Sequence, residues 1–358
     1  VSAATPGAVT IACCQVAPMV GDPVGNRALL REAVAAAASA GARVVVLPEL
    51  ASTGYMFADR DEVRAAAEPA DGPTLTEWAD LARTHDLVIV GGFAEAGADG
   101  EVHNSAALVD ATGVRAVYRK AHLWNSEKAL FTPGAAAPPV VDTAVGRIGL
   151  MVCYDVEFPE WVRQVALQGA DLLAVPVNWP LYPRPDAERP GEVVKVQAAA
   201  STNRMAIACA DRDGEERGQR WLGGSVIVDA DGFPVTALAL GLETLVVGTV
   251  DLASSRDKAI SERNDVLADR RPELYGRVAR QPAGSDSFVA GHSRPRTGVR
   301  SAGSPASGMT SSARTPSSRT SRPGSSRSVR ARAAATTAPG SRVGSGSLRP
   351  TTLVTNGA

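Results

Sequence analysis

Short apolar runs punctuated by turn residues dominate the first 280 positions, and most are too short and too β-branched for helices. VTIACCQVAP opens the chain's pattern as a first strand ending at Pro18. A helix rich in Ala and Leu follows to about Ala40, with Asp22 or Asn26 as candidate cap and Gly41 as its C-terminal stop. Residues 43–47 form a β-branched run of the kind buried on both faces, and it delivers Pro48 and Glu49 at its end. Pro73 and Thr74 start a second helix over 73–85, carrying Leu75, Trp78 and Leu81. LVIVGGFAE (87–95) reads as a strand, and VHNSAALVD (102–110) and VRAVYRK (114–120) flank a hairpin signal at Ala111-Thr112-Gly113. AHLWNSEKALFTPG follows as a loop with a short turn.

The apolar run Ile148–Val152 reaches Cys153 and turns polar at Asp155, and Pro159 opens a helix through Trp161, Val165 and Leu167. ADLLAVPVNWP (170–180) is a buried strand ending at Asn178 and Trp179, followed by a proline-rich loop (180–190) and a helix over about 191–204. MAIACAD, a hairpin at Asp231-Gly232 and ETLVVGTVD (243–251) complete the strong strands; 252–264 and 269–275 read as helical or irregular. The mixture of βα units and hairpins predicts a layered α/β domain with mixed sheets.

Beyond residue 281 the pattern stops. Ser, Arg, Pro, Gly, Thr and Ala dominate, so 1–280 is read as one domain and 281–358 as a tail too poor in apolar residues to order itself. The net charge of −1 conceals an asymmetry: the tail holds eleven Arg and one Asp, or +10, and the body carries −11. The tail has two readings, a basic appendix attracted to polyanions or the product of a shifted reading frame in a GC-rich gene. The second is favoured, because the bias is purely compositional, and nucleic acid is not expected as a partner.

The four cysteines fit neither a zinc pattern nor an evident disulfide framework, which suggests a reducing compartment. No signal peptide and no bilayer-length apolar run is read, so the expected location is cytoplasmic.

Glu49, Lys120 and Cys153 each stand at the C-terminal end of a predicted strand, where ligands bind in layered α/β folds. A nearby helix start is expected to favour a Cys153 thiolate. By itself Cys153 also reads as a core cysteine, Glu49 as a strand-end surface carboxylate and Lys120 as a solvated lysine. Brought together they have a clear division of labour. The thiol attacks a carbonyl carbon, the carboxylate takes and returns its proton, and the ammonium with the Tyr154 N–H stabilises the oxyanion. Cys13, Cys14 and Cys209 are read as core. A Cys–His hydrolase with His122 as partner of Cys153 is a rival reading. GxSxG, HExxH and a Walker lysine are absent.

LPEL around Glu49, YRKAHLW around Lys120 and GLMVCYDVEFPE around Cys153 resemble the three signature blocks of the nitrilase, or carbon–nitrogen hydrolase, superfamily, in matching order and spacing. The resemblance covers about residues 8–278. It implies an α-β-β-α sandwich that pairs with a second copy into a homodimer or higher homo-oligomer, a Glu–Lys–Cys triad, a thioester acyl-enzyme and no metal or organic cofactor. Glu127 is similar in placement to a second glutamate of the family that orients the lysine and the substrate amide; its bland reading is a loop glutamate. True nitrilases resemble CWE at the nucleophile, whereas this chain has Cys153-Tyr154-Asp155. D-carbamoylases carry arginines where this chain has Val156 and Glu157. The expected reaction is therefore hydrolysis of a small aliphatic or amino-acid-derived primary amide. Asn178, Trp179 and Tyr55 are candidate pocket residues and Trp161 a candidate exposed dimer contact. A ureido hydrolase, a nitrilase, an acyltransferase using the same thioester and a non-catalytic scaffold are the alternatives.

Overall fold

A computed structural model describes residues 7–278, Arg280 and Thr352–Val354, and all of these but Arg280 belong to one unit. In chain order the principal elements are β1 (Ala8–Gln15), α1 (Pro23–Ser39), β2 (Val44–Val46), α2 (Arg60–Ala66), α3 (Pro73–His85), β3 (Val88–Ala96), β4 (Val102–Asp110) and β5 (Gly113–Arg119). They continue with α4 (Glu127–Leu130), β6 (Val140–Thr143), β7 (Gly146–Leu150), α5 (Pro159–Leu167), β8 (Leu172–Pro176), α6 (Gly191–Asn203), β9 (Ala206–Ala210), β10 (Val226–Val228), β11 (Thr244–Asp251) and β12 (Thr352–Val354).

Two mixed sheets result. One has the order β12-β11-β1-β2-β3-β4-β5, with β1, β2 and β3 parallel and the β1–β11, β3–β4 and β4–β5 pairings antiparallel. The other runs β10-β9-β8-β7-β6, parallel across β7, β8 and β9 and antiparallel at both edges. The period of two along each strand sorts side chains into two cores. Val9, Ile11, Cys13, Val44, Val46, Val88 and Val90 join the core shared with the second sheet. Ala12, Cys14, Val45, Leu47 and Ile89 pack with Leu30 and Val34 of α1 and Leu75 and Trp78 of α3. Val162 and Val165 of α5 and Val193 and Val196 of α6 cover the second sheet's outer face. The layers are therefore α-β-β-α, as expected. The ends of β2 and β8, one from each sheet, meet where the Glu49 N–H bonds the Val177 carbonyl at 3.4 Å.

Local chemistry explains the boundaries. Asp22, not Asn26, caps α1, its carboxylate accepting the Gly25 N–H at 2.8 Å. Asn26 is buried inside the helix and bonds the carbonyls of Met19 and Ser52. Gly41 takes φ +82° just past the helix end. The glycine pair in β3 serves two close approaches: a Cβ on Gly91 would lie 2.4 Å from the Trp78 ring, and one on Gly92 would lie 2.5 Å from the Glu49 Cα.

Three sequence expectations differ. The Asp231-Gly232 turn forms, but its return arm makes a single bridge, Val228 to Pro234, rather than a strand. Residues 252–264, read as helical or irregular, hold a 3₁₀ turn (Leu252–Ser255) and two short strands that were not expected. Helix α2 was not expected. Most of the expected tail lies outside the described residues; Thr352–Val354 pairs in parallel with Thr244–Val246 of β11. Among the described residues no helix is long and apolar enough to cross a membrane.

Candidate active site

The end of β2 delivers Glu49 into a tight turn. Leu50 adopts a left-handed φ of 49°, and the Pro48 carbonyl and Ala51 N–H bond the Gly92 backbone at 3.0 and 2.9 Å. With no side chain at Gly92, the Glu49 backbone can lie directly on β3. Glu49 itself is buried. Its Oε1 accepts from Lys120 Nζ and from Asn104 Nδ2, each at 2.7 Å. Its Oε2 is buried with no hydrogen-bond partner among the described residues. Burial drives the Glu49 carboxyl up, the Lys120 charge draws it partly back, and Glu127 adds to the rise, leaving it at about 7.

Lys120 follows β5 directly and is fully enclosed. Nζ donates to Glu49 Oε1 at 2.7 Å and to Glu127 Oε1 at 2.8 Å. Burial works against the ammonium, but the charges of Glu127 and Glu49 outweigh it and hold Lys120 well above its ordinary value. An ammonium has three donors, so one N–H remains for a ligand. Glu127, at the start of α4, is buried rather than a solvated loop carboxylate. Its Oε1 also accepts the Tyr55 hydroxyl at 2.5 Å and its Oε2 the Trp124 N–H at 2.9 Å.

Cys153 begins a 3₁₀ turn, Cys153–Glu157, just past β7. Its φ of 45° is left-handed, a conformation costly for a residue with a Cβ and typical of a held functional group. The side chain is 7% exposed, with the Asn178 carbonyl 4.0 Å from Sγ. Glu49, Lys120 and Glu127 all lie close enough for their charges to act on the thiol. The expected thiolate is not what this environment favours. Burial first, then the Glu49 charge, push the Cys153 thiol well above its ordinary value, and Lys120 offsets this only in part. At rest the group is a neutral thiol.

Asp155 locks the nucleophile's turn. Fully buried, it accepts from the Val152 N–H (3.3 Å), the Tyr118 hydroxyl (2.9 Å), the His122 N–H (3.0 Å) and His122 Nδ1 (2.7 Å). His122 is thus engaged by Asp155 and stacks on Phe158 at 3.8 Å, which leaves the Cys–His reading without its pairing. Trp161 also differs from expectation: it is half-buried, and its indole N–H donates to the Tyr118 hydroxyl at 3.0 Å. The sequence reading missed Asn104 and the anchoring role of Asp155. Asn104 left a signal, because His103-Asn104-Ser105 interrupts an otherwise apolar strand.

A cleft of about 50 Å³ opens onto Cys153 and is lined by Tyr154, Asn178, Trp179, Trp124, Glu157 and Lys195 among others. The candidate pocket residues Tyr154, Asn178 and Trp179 thus share this lining with Cys153. Asn178 Nδ2 bonds the Glu49 carbonyl at 2.8 Å, while its Oδ1 and the Trp179 indole nitrogen are buried without partners among the described residues. Tyr55 is not on this lining; it packs edge-on against Trp221 at 5.1 Å and reaches the site through Glu127. Cys13, Cys14 and Cys209 are buried in the cores. Among the described residues no group of three or more His, Cys, Asp or Glu side chains is placed to share a metal ion.

The carbon-nitrogen hydrolase family model matches residues 10–259. The chain belongs to this family. It is 37% identical over 271 residues to a nitrilase of Pyrococcus abyssi, covering 75% of this chain and all of the relative. It is 32% identical to an (R)-stereoselective amidase of a Pseudomonas species, covering 78% and 98%. Among solved structures it resembles the NitN amidase of Nesterenkonia sp. AN1, with 31% identity, 75% and 98% coverage and a TM-score of 0.63. A glutamate mutant of that amidase carries the acetamide moiety of fluoroacetamide on its active-site cysteine, and a cysteine-to-alanine mutant was solved with butyramide. The present chain is a carbon–nitrogen hydrolase of the amidase type.

Proposed function

We propose that the enzyme hydrolyses a small primary amide through a thioester on Cys153, releasing ammonia and a carboxylic acid. The observation that carries this reading is the buried Glu49 Oε2, without a hydrogen-bond partner among the described residues, on a carboxyl that sits at about 7 and whose charge reaches the Cys153 thiol. A base of that strength accepts a thiol proton at neutral pH and can return it.

Glu49 Oε2 takes the S–H proton as Sγ bonds the amide carbon and the carbonyl π pair moves to oxygen. The remaining Lys120 N–H and the Tyr154 N–H, a first-turn donor with no partner inside its own 3₁₀ turn, stabilise that oxyanion. Protonated Glu49 gives its proton to the departing nitrogen, the C–N bond breaks and ammonia leaves. Water, losing a proton to Glu49, then attacks the thioester; the C–S bond breaks and Sγ recovers the proton. Glu127 keeps Lys120 charged and aimed, and Tyr55 keeps Glu127 in place.

By resemblance to the family's branches, Cys153-Tyr154-Asp155 in place of CWE points to amides rather than nitriles, and Val156 with Glu157 in place of arginines disfavours a carboxylate-bearing carbamoyl substrate. Ammonia release from matched amides, nitriles and ureido acids tests the reading. Turnover of amides supports it; turnover of nitriles alone overturns it, and ammonia from ureido acids alone moves the assignment to a carbamoyl hydrolase.

A further inference from the structure

The cleft is graded from a buried inner end to an exposed outer one. Cys153 and Asn178 lie inside, at 7% and 2% exposure, and Tyr182 lies outside at 51%. The outer end holds three charges: Glu157, Glu192 and Lys195. Lys195 Nζ is taken by Glu157 Oε2 at 2.6 Å, so that pair is neutral. The Glu192 side chain makes no ion pair or hydrogen bond among the described residues. It sits in the first turn of α6, where the helix favours a negative charge. Burial first, then the charges of Glu192 and Glu157, hold the Tyr182 phenol above its ordinary value.

Two further features share the lining. Trp124 and Tyr154 meet edge-on at 4.8 Å, and with Tyr182 they present aromatic rings along the same cleft. The Asn178 Oδ1 is a buried acceptor without a partner among the described residues, on a side chain whose amide nitrogen is already committed to the Glu49 carbonyl. The Asn178 acceptor at the inner end suits an N–H of the reacting amide, and the unpaired carboxylate with the aromatic rings at the outer end suits a cation.

We infer that the cleft selects primary amides whose far end carries an ammonium group, which Glu192 receives at the mouth while the amide reaches Cys153. The inference rests on the amide-hydrolysis reading for the position of the reacting end. It assigns Glu192 as a specificity-determining residue.

The test compares pentanamide, its terminally aminated analogue and its terminally carboxylated analogue, at low and moderate salt. The aminated amide should exceed pentanamide by about tenfold in kcat/KM, from one partly exposed charge pair plus ring contacts, and the carboxylated one should fall below it. Glu192→Gln should collapse the aminated-to-neutral ratio toward unity, and Glu192→Lys should turn the preference toward the carboxylated amide. A wild-type ratio at or below one, or a ratio indifferent to both substitutions, would overturn the inference. Calorimetric binding of the same three amides to Cys153→Ala reads the preference without turnover. If no amide is hydrolysed, the amidase reading fails by itself, and the binding ratio still decides the role of Glu192.

Discussion

At Glu49 the two carboxylate oxygens have separate duties: Oε1 is held by Lys120 and Asn104, and Oε2 is left for a proton. Because the carboxyl sits at about 7, its base form is scarce in acid. The kcat/KM for amides should therefore rise with pH through about 7 and level off above it. No falling limb is expected near neutrality, since Lys120 and Cys153 both titrate far higher. Glu49→Gln should remove that rise and lower kcat by about a hundredfold to ten-thousandfold, the range of a general base. Stability follows the same group with a definite sign. Its folded value is raised from an ordinary 4.5, so the stabilisation from holding the proton is full below 4.5 and lost as pH climbs through about 7. Thermal unfolding against pH should show that decline in the wild type and a flatter profile in Glu49→Gln. Tyr55→Phe removes a hydrogen bond to a charged group, an interaction of about 1.5–3 kcal/mol, and should lower kcat more than it raises KM.

At the scale of elements, the site depends on turns that press against strands. Gly92→Ala would force a Cβ to within 2.5 Å of the Glu49 Cα, against backbone that cannot swing aside. We expect a loss of about 1–3 kcal/mol in denaturant unfolding and a fall in kcat, because the displaced residue is Glu49 itself. His122→Ala should behave differently: it strips a partner from Asp155 and costs stability, yet leaves proton transfer to Glu49 intact. The strand ends bearing Glu49, Lys120 and Cys153 were legible from apolar runs that stop at polar residues. What was not legible is what acts across the chain. Asn104 reaches Glu49 from a strand distant in sequence, and Tyr55 reaches Glu127 through a loop. Burial, which no local pattern reports, turned the expected thiolate at Cys153 into a thiol. The expected exposure of Trp161 failed for a similar reason, since its indole finds Tyr118 on another element.

For the whole molecule, both cores and every residue given a chemical role lie between β1 and the turn after β11. A chain ending at residue 280 should keep its kcat, as measured by ammonia release, and peptides from 300–358 in the native protein would exclude a shifted frame as the tail's origin. Pairing of subunits through α5, which we propose from the family resemblance alone, is better probed at Leu167, 47% exposed, than at Trp161. Leu167→Asp should move a dimer toward monomer in sedimentation without touching the Tyr118–Asp155 anchor.

Catalysis by this route requires a covalent bond to one sulfur. Intact and peptide mass spectrometry of enzyme quenched during turnover of a slow amide should show the acyl mass on the peptide holding Cys153, and none in Cys153→Ala. An adduct on Cys209 instead, or hydrolysis that continues in Cys153→Ala, would contradict it.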